Sequence, residues 1–418
     1  MAIAKLALKS LYNRRATAIL TVLAIALSVT LLLGVERVRT QTKENFANTL
    51  SGTDLIVGAR TGQVQLLLYS VFRIGNATNN ISWQTYQEIA NDKAVKWTVP
   101  FSLGDSHRGF RVLGTNQDYF KHYQFGQRQS LSLAQGELFN TPIEAVIGAE
   151  VAKKLNYRLG QEIVIAHGSS DVSFTQHDNL PFTVVGILAP TGTPVDRTVH
   201  VSLAGIEAIH YGWQNGAPRA GKLQQEQLDQ VSLEPEVITA FLVGLNSKMH
   251  TFALQRKINE YQSEAIMAVL PGVALQELWS TMNMAEQALL VVSGFVVVSG
   301  LLGMLTTLLT SLNERRREMA ILRSVGARPA HIFTLLISEA GLLALSGAVA
   351  GVALLYGLIL MIKPWAMDLY GIYIRFSALT SYELTLLAIV VLSGFIIGLI
   401  PAWRAYRLSL ADGMTIRI

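Results

Sequence analysis

The chain has no cysteine among its 418 residues, which removes disulfides, thiol catalysis and thiolate metal sites together. It is also poor in charge. Asp, Glu, Lys and Arg make up 15% of it, against 50% hydrophobic residues, a balance too apolar for an ordinary water-soluble protein. It lacks the Gly-x-x-x-x-Gly-Lys-Ser/Thr loop that cradles nucleotide phosphates, since the one Gly-Lys pair, Gly221-Lys222, is followed by Leu223. Any ATP hydrolysis is therefore expected from another polypeptide. No basic run interleaves with aromatics, so the net charge of +5 does not point to nucleic acid. No serine, carboxylate and histidine arrangement stands out, and no catalytic residue is assigned.

What the chain does have is four long stretches without charge. Ala16 to Val35 and Leu384 to Trp403 hold 20 residues each, Ala340 to Ile362 holds 23 and Gln287 to Asn313 holds 27. Each is long enough for a helix to cross the roughly 30 Å hydrocarbon core of a bilayer. The second would measure about 40 Å at about 1.5 Å per residue, so it is expected to continue above the membrane as a stalk. A signal peptide is the rival reading of the first run, which follows Lys5, Lys9, Arg14 and Arg15. The run is longer than a signal h-region, and no small-x-small cleavage site follows it.

Lys and Arg in short loops mark the cytoplasmic side. The amino-terminal segment, the connection bearing Arg315, Arg316, Arg317, Arg323 and Arg328, and the tail with Arg404, Arg407 and Arg417 are all basic. Both termini are thus expected on the cytoplasmic side of the membrane. The connection holding Lys363, Asp368, Arg375 and Glu383 suits the outer side. The fold expected is a membrane protein of four transmembrane α-helices, with a large α+β extracytoplasmic domain inserted between the first two. The expected division is an amphipathic helix on the cytoplasmic face over 1–15, a first span over 16–36, the extracytoplasmic domain over 37–283, and a second span with stalk over 284–313. A cytoplasmic loop follows over 314–330, then a third span over 331–362, a short outer loop over 363–383, a fourth span over 384–403 and a tail over 404–418.

Within the outer region, Asp54 to Gly58, Val95 to Pro100, Gly109 to Gly114, Gln161 to Ala166, Phe182 to Leu188 and Val237 to Leu245 read as strands. Ser82 to Asn91, Ala149 to Leu155, Leu203 to His210 and Met249 to Ser263 read as helices, and Gly212 to Glu236 as a loop or insertion. Such a mixture forms an α+β domain with its own core.

The loop after the second span carries mixed charges and a small apolar face of Met319, Ala320 and Leu322, with Gly326 to stop a helix and Pro329 to start the next. Such a helix could dock in a groove on a soluble partner, or be only a positive-inside anchor. Gly347 and Gly351, and Gly394 and Gly398, make two small-xxx-small pairs suited to close helix packing. The four uncharged runs hold no Asp, Glu, His, Lys or Arg, which argues against a proton- or ion-coupled carrier.

Seven of the eight histidines lie in the outer region: His107, His122, His167, His177, His200, His210 and His250. The closest pairs, His167 with His177 and His200 with His210, miss the three- or four-residue spacing that puts two ligands on one helical face. Scattered structural histidines, and no metal site, are expected. Leu66, Leu67, Leu68, Tyr69 and Phe72 form an apolar run too short to span a membrane. It is expected as core, with an apolar wall for a lipid-like or peptide substrate as the alternative.

The string Arg317-Glu-Met-Ala-Ile-Leu-Arg-Ser-Val-Gly-Ala327 resembles the hallmark loop of permeases of the MacB/LolC/FtsX type. Ile147-Gly-Ala-Glu-Val-Ala-Lys-Lys-Leu155, Leu159-Gly-Gln-Glu-Ile-Val-Ile165 and Phe182-Thr-Val-Val-Gly-Ile-Leu188 are similar to that family's extracytoplasmic core domain, and Pro401-Ala-Trp-Arg404 to the end of its last span. The resemblance implies a coupling helix contacting an ATP-binding subunit, formed by Glu314, Arg315, Arg316, Arg317, Glu318, Met319, Ala320, Ile321, Leu322, Arg323, Ser324, Val325, Gly326 and Ala327. It implies two ABC ATPases, which would carry the ATP and Mg, and a second permease copy, a homodimer being favoured over a heterodimer. No cofactor is implied in this chain, which looks like the split form without a fused ATPase. The implied function is mechanotransmission: ATP-driven movement passes to the outer domain and moves a lipoprotein, lipid, peptide or small amphiphile, with an extracytoplasmic adaptor or lipoprotein as a possible partner. The alternative is a signalling scaffold that activates an extracytoplasmic hydrolase without transport.

Overall fold

In the computed structural model, the described residues are 12, 14–168, 180–211, 213–214, 217–218, 228, 231–314, 319, 321, 323–370 and 376–407. Nearly all of the expected amino-terminal helix, His177, most of the 212–236 insertion, Arg315, Arg316, Arg317, Glu318, Ala320, Leu322 and the tail beyond Arg407 lie outside them. Eleven strands form the main sheet: β1 (Leu55–Ala59), β2 (Val95–His107), β3 (Phe110–Thr115), β4 (Leu133–Gly136), β5 (Glu144–Ile147), β6 (Glu162–Ile163), β7 (Ala166–His167), β8 (Phe182–Leu188), β9 (Thr198–Ser202), β10 (Ala240–Leu245) and β11 (Ile266–Val269). The helices are α1 (Arg15–Thr49), α2 (Gln63–Ser70), α3 (Trp83–Ala90), α4 (Asp118–His122), α5 (Ala149–Leu155), α6 (Leu203–His210), α7 (Thr251–Asn259), α8 (Pro271–Glu314), α9 (Pro329–Tyr370) and α10 (Ser381–Arg407).

The chain forms two units, one holding most of the four long helices and the other residues 42–282. In the helical unit α1, α8, α9 and α10 each enclose one of the uncharged runs and meet the length and hydropathy needed to cross a membrane. Proline opens both α8 and α9, where its missing N–H would have had no partner. The apolar window of α1 is 44% buried, against 22–28% for the other three, so α1 is the centre of the bundle. Ile25, Val29 and Leu33 of α1 pack with Leu301, Met304, Leu343 and Val390. Phe295, Val349 and Ile396 stay exposed, as suits helices whose outward side chains meet lipid.

In the other unit the sheet order is β11-β1-β10-β2-β3-β9-β5-β8-β4, with β7 on β2 and β6 on β8. Two neighbouring pairs, β3 with β9 and β5 with β8, are parallel, and the other pairs are antiparallel. Central strands such as β10 are buried at every position, which explains their unbroken hydrophobic sequences. The caps of the helices follow the side chains available: Ser82 accepts from Thr85 N at α3, and Ser202 from Gly205 N at α6.

Several elements depart from the sequence expectations. The strand starting at Val95 continues through His107, past the predicted end at Pro100, because Pro100 faces Phe241 and the ladder resumes beyond it. The predicted strand over Gln161 to Ala166 is two short ones, β6 and β7, which pair with different partners. The apolar run after Gln65 lies on α2, where Leu66, Leu67, Tyr69 and Phe72 are buried and Leu68 is half-buried against the same cluster. Burial in the core leaves these leucines no open face, while Tyr69 also lines a cleft.

Candidate functional site

The helical unit carries three features at successive levels. At one rim, α10 begins with Thr380-Ser-Tyr-Glu383, a capping box: Thr380 N donates to Glu383 Oε2 at 2.7 Å, and Glu383 N to Thr380 Oγ1 at 3.2 Å. The other oxygen of Glu383 accepts from Arg37 Nε on α1 at 2.9 Å. Arg37 also donates from Nη2 to Tyr356 Oη at 2.9 Å and to the Ser377 carbonyl at 3.0 Å, and its guanidinium lies 4.7 Å from the Tyr356 ring centre. The Arg37 and Glu383 side chains are only 6% and 2% exposed. One buried ion pair therefore joins α1, α9 and α10. Arg37 lies two residues beyond the uncharged run of α1, and Glu383 one residue before that of α10.

In the middle, glycines let the helices touch. A Cβ at Gly347 or Gly351 would stand 2.6 Å from Ile25 Cβ or 2.8 Å from the Ala26 carbonyl, and one at Gly394 or Gly398 would meet Ala344 or Ala340. Gly351→Ile is expected to destabilise the detergent-purified protein by about 1–3 kcal/mol through overpacking. Gly357→Ile, on the same helix with nothing within 4 Å, is the matched control and should leave the thermal midpoint unchanged.

At the other rim lies the loop between α8 and α9. Met319 is buried with Leu312, Ile332, Leu336, Ala402 and Ala405. Ile321 and Val325, one helical turn apart, are 55% and 82% exposed. The turn closes through Gly326 N to Arg323 O at 3.1 Å, with Gly326 at φ +101, a conformation that favours glycine.

The sheet unit brings together residues that lie far apart in the chain. Asp105 on β2 and His167 on β7 are direct cross-strand partners, with Asp105 Oδ1 2.9 Å from His167 Nδ1. His210, the last residue of α6, places Nε2 3.6 Å from the same oxygen, and its ring stacks on His167 at 4.6 Å with a 6° tilt. Burial works to raise the Asp105 carboxyl, but hydrogen bonds and charge from His167 and His210 outweigh it and hold it well below the ordinary carboxylate range. His107 bonds the Val164 carbonyl and Tyr157 Oη, and its burial lowers its basicity. His122 stacks on Trp97, and His200 lies buried against Tyr119 and Phe120. Of the two pairs nearest in sequence, His200 and His210 are therefore parted by the fold, while His177 of the other pair lies outside the described residues. A cleft of about 320 Å³ is lined by Tyr69, Arg73, Asn80, Leu103 and Arg111, among others. Its two arginines make it cationic, not an apolar wall.

Four helices long and apolar enough to cross a membrane, with a mixed α+β domain between the first two, define a multi-pass membrane protein. Residues 18–261 match the MacB-like periplasmic core domain, and residues 290–410 the FtsX-like permease C-terminal region. The chain belongs to the MacB/FtsX-type family of ABC transporter permeases, as a multi-pass inner-membrane protein. It is 25% identical over 322 residues to the pyoverdine export ATP-binding/permease protein PvdT of Pseudomonas fluorescens Pf-5, covering 72% of this chain and 43% of that protein. It is 23% identical over 309 residues to the macrolide export ATP-binding/permease protein MacB 1 of Yersinia pestis, again covering 72% and 43%. The chain thus spans less than half the length of these relatives. The crystal structure of the periplasmic region of MacB from Actinobacillus actinomycetemcomitans aligns at 12% identity and a TM-score of 0.34, covering 55% of this chain and 94% of that one.

Proposed function

We propose that this permease transmits ATP-driven movement from separate ABC ATPase subunits to its extracytoplasmic domain, and that the movement exports a small amphiphile or peptide. Both termini and the loop between α8 and α9 lie on the cytoplasmic side, and the ATPase receives that loop. The observation that carries the reading is the divided loop: Met319 anchors it in the bundle, while Ile321 and Val325 present a bare apolar edge. An anchored segment moves the helices with it, and an exposed apolar edge one turn long fits a groove on a soluble partner. Export is favoured over uptake or signalling because the pyoverdine and macrolide relatives are named for export.

The test is affinity purification of the detergent-solubilised chain from its native membrane, with bound ATPase identified by mass spectrometry. Ile321→Asp with Val325→Asp should reduce the co-purifying ATPase at least tenfold, since each change loses apolar burial and adds an unpaired charge. Met249→Asp, equally exposed but in the other unit, should leave it unchanged. Undiminished ATPase on the double variant would place the docking surface elsewhere.

A further inference from the structure

Three metal-ligating side chains converge where nothing in the export reading requires them. Each of Asp105, His167 and His210 offers a ligand atom, and the three atoms lie within 4.8 Å of one another. A tetrahedral ion bound at about 2.0–2.1 Å holds its ligand atoms about 3.3 Å apart. The observed separations from Asp105 Oδ1, 2.9 and 3.6 Å, bracket that value. We propose that Asp105, His167 and His210 bind one divalent transition-metal ion of the zinc type on the extracytoplasmic domain.

The ligand set selects the class of ion. Two imidazoles with a single carboxylate suit zinc and its neighbours, whereas calcium and magnesium require mostly oxygen donors. The backbone on both sides of the cluster is hydrogen-bonded. Asp105 and His167 face each other across the β2–β7 ladder, and Gly168 N bonds the Gly104 carbonyl beside them at 3.2 Å. The start of α6, which delivers His210, is pinned by the Ser202 cap at 2.9 Å. The paired strands and the capped helix hold the backbones in place, and the two stacked imidazoles turn out of their parallel arrangement to aim both nitrogens at one ion. The carboxylate is buried, at 7% side-chain exposure, while His167 and His210 are 35% and 28% exposed. A bound ion would fasten the end of α6 to the β2–β7 ribbon. This inference concerns the sheet unit alone and stands whether or not the chain exports anything.

The experiment strips the full-length detergent-purified protein with a chelator, then titrates ZnCl₂ by isothermal calorimetry and follows CoCl₂ by its visible d–d absorption. The parent is expected to bind one zinc per chain, and to gain about 5 °C or more in thermal midpoint at saturation. His167→Ala, His210→Ala and Asp105→Asn should each weaken zinc at least tenfold and abolish both the cobalt bands and the midpoint gain. His210 lies at a helix end and is part-exposed, so its variant should melt like the chelated parent. It decides the case if Asp105→Asn does not fold. Absence of zinc binding by the parent overturns the proposal, as does unchanged affinity and an unchanged cobalt spectrum in His210→Ala. Either result would leave the three residues a hydrogen-bonded cluster only.

Discussion

Arg37→Met is expected to lower the stability of the purified permease by about 3–5 kcal/mol, the usual cost of stranding one member of a buried ion pair. Glu383 would then keep its capping hydrogen bonds from Thr380 but lose its only charged partner among the described residues, and Tyr356 and the Ser377 carbonyl would lose a donor. Adding Glu383→Gln should restore most of the loss. Glutamine retains the reciprocal cap and removes the uncompensated charge. The measurement is thermal or denaturant unfolding of parent, single and double variants in one detergent. If the single variant melts like the parent, the pair contributes nothing. If the double variant melts no higher than the single one, the cost lies in packing rather than charge. The wild-type pair has a weak point of its own, because Arg37 Nη1 is buried without a hydrogen-bond partner. Opening the rim would therefore cost less than opening a fully satisfied network would. The double variant thus separates the charge of the pair from its packing.

Acidification should destabilise the extracytoplasmic domain through His200. That imidazole is fully buried on β9, with Nδ1 bonded to the Val146 carbonyl at 3.2 Å and Nε2 without a partner. The bond to a carbonyl needs the proton on Nδ1, so protonating Nε2 would bury a cation with an unmatched N–H. Burial, reinforced by the charge of Arg73, pushes this histidine down to about 3. Tyr119 beside it is pushed up to about 12 by burial and so brings no negative charge. The unfolded chain takes up the proton near pH 6.5 and the folded one only near 3. The stabilisation is thus complete above about pH 6.5 and is lost as pH falls toward 3, at about 1.4 kcal/mol per unit. By pH 4 the loss attributable to this group is about 3 kcal/mol. His200→Phe should cost about 1 kcal/mol at pH 7.5 for the missing hydrogen bond. It should also flatten the dependence between pH 6.5 and 4 by one proton, measured as the difference between parent and variant. Equal slopes in the two proteins would show that His200 is protonated in the folded state.

Much of this architecture is local in origin and can be read along the chain. A membrane span is a length of uncharged sequence, so four runs translate directly into α1, α8, α9 and α10. Gly326 and the proline starts of α8 and α9 act within one turn of themselves, and the glycine pairs at 347/351 and 394/398 need only a neighbouring helix of any register. The domain's strands were legible where hydrophobic runs were long, as over Phe182 to Leu188. They were not legible over Thr198–Ser202 or Glu144–Ile147, where a central position in the sheet rather than composition makes the strand.

The sequence alone determined the class: the spans, the inserted α+β domain and the loop string of the permease family are each written in contiguous residues. Tertiary structure alone decided the polar sites. Arg37 finds Glu383 across 346 positions, and Asp105 finds His167 across 62. The histidines nearest in sequence, His200 and His210, go to unrelated environments, one buried against aromatic rings and one beside Asp105. Hydropathy acts through the local solvent and needs no partner, whereas a hydrogen bond or a metal ligand set needs atoms within about 3 Å, and only the pairing of strands and packing of helices can bring them there.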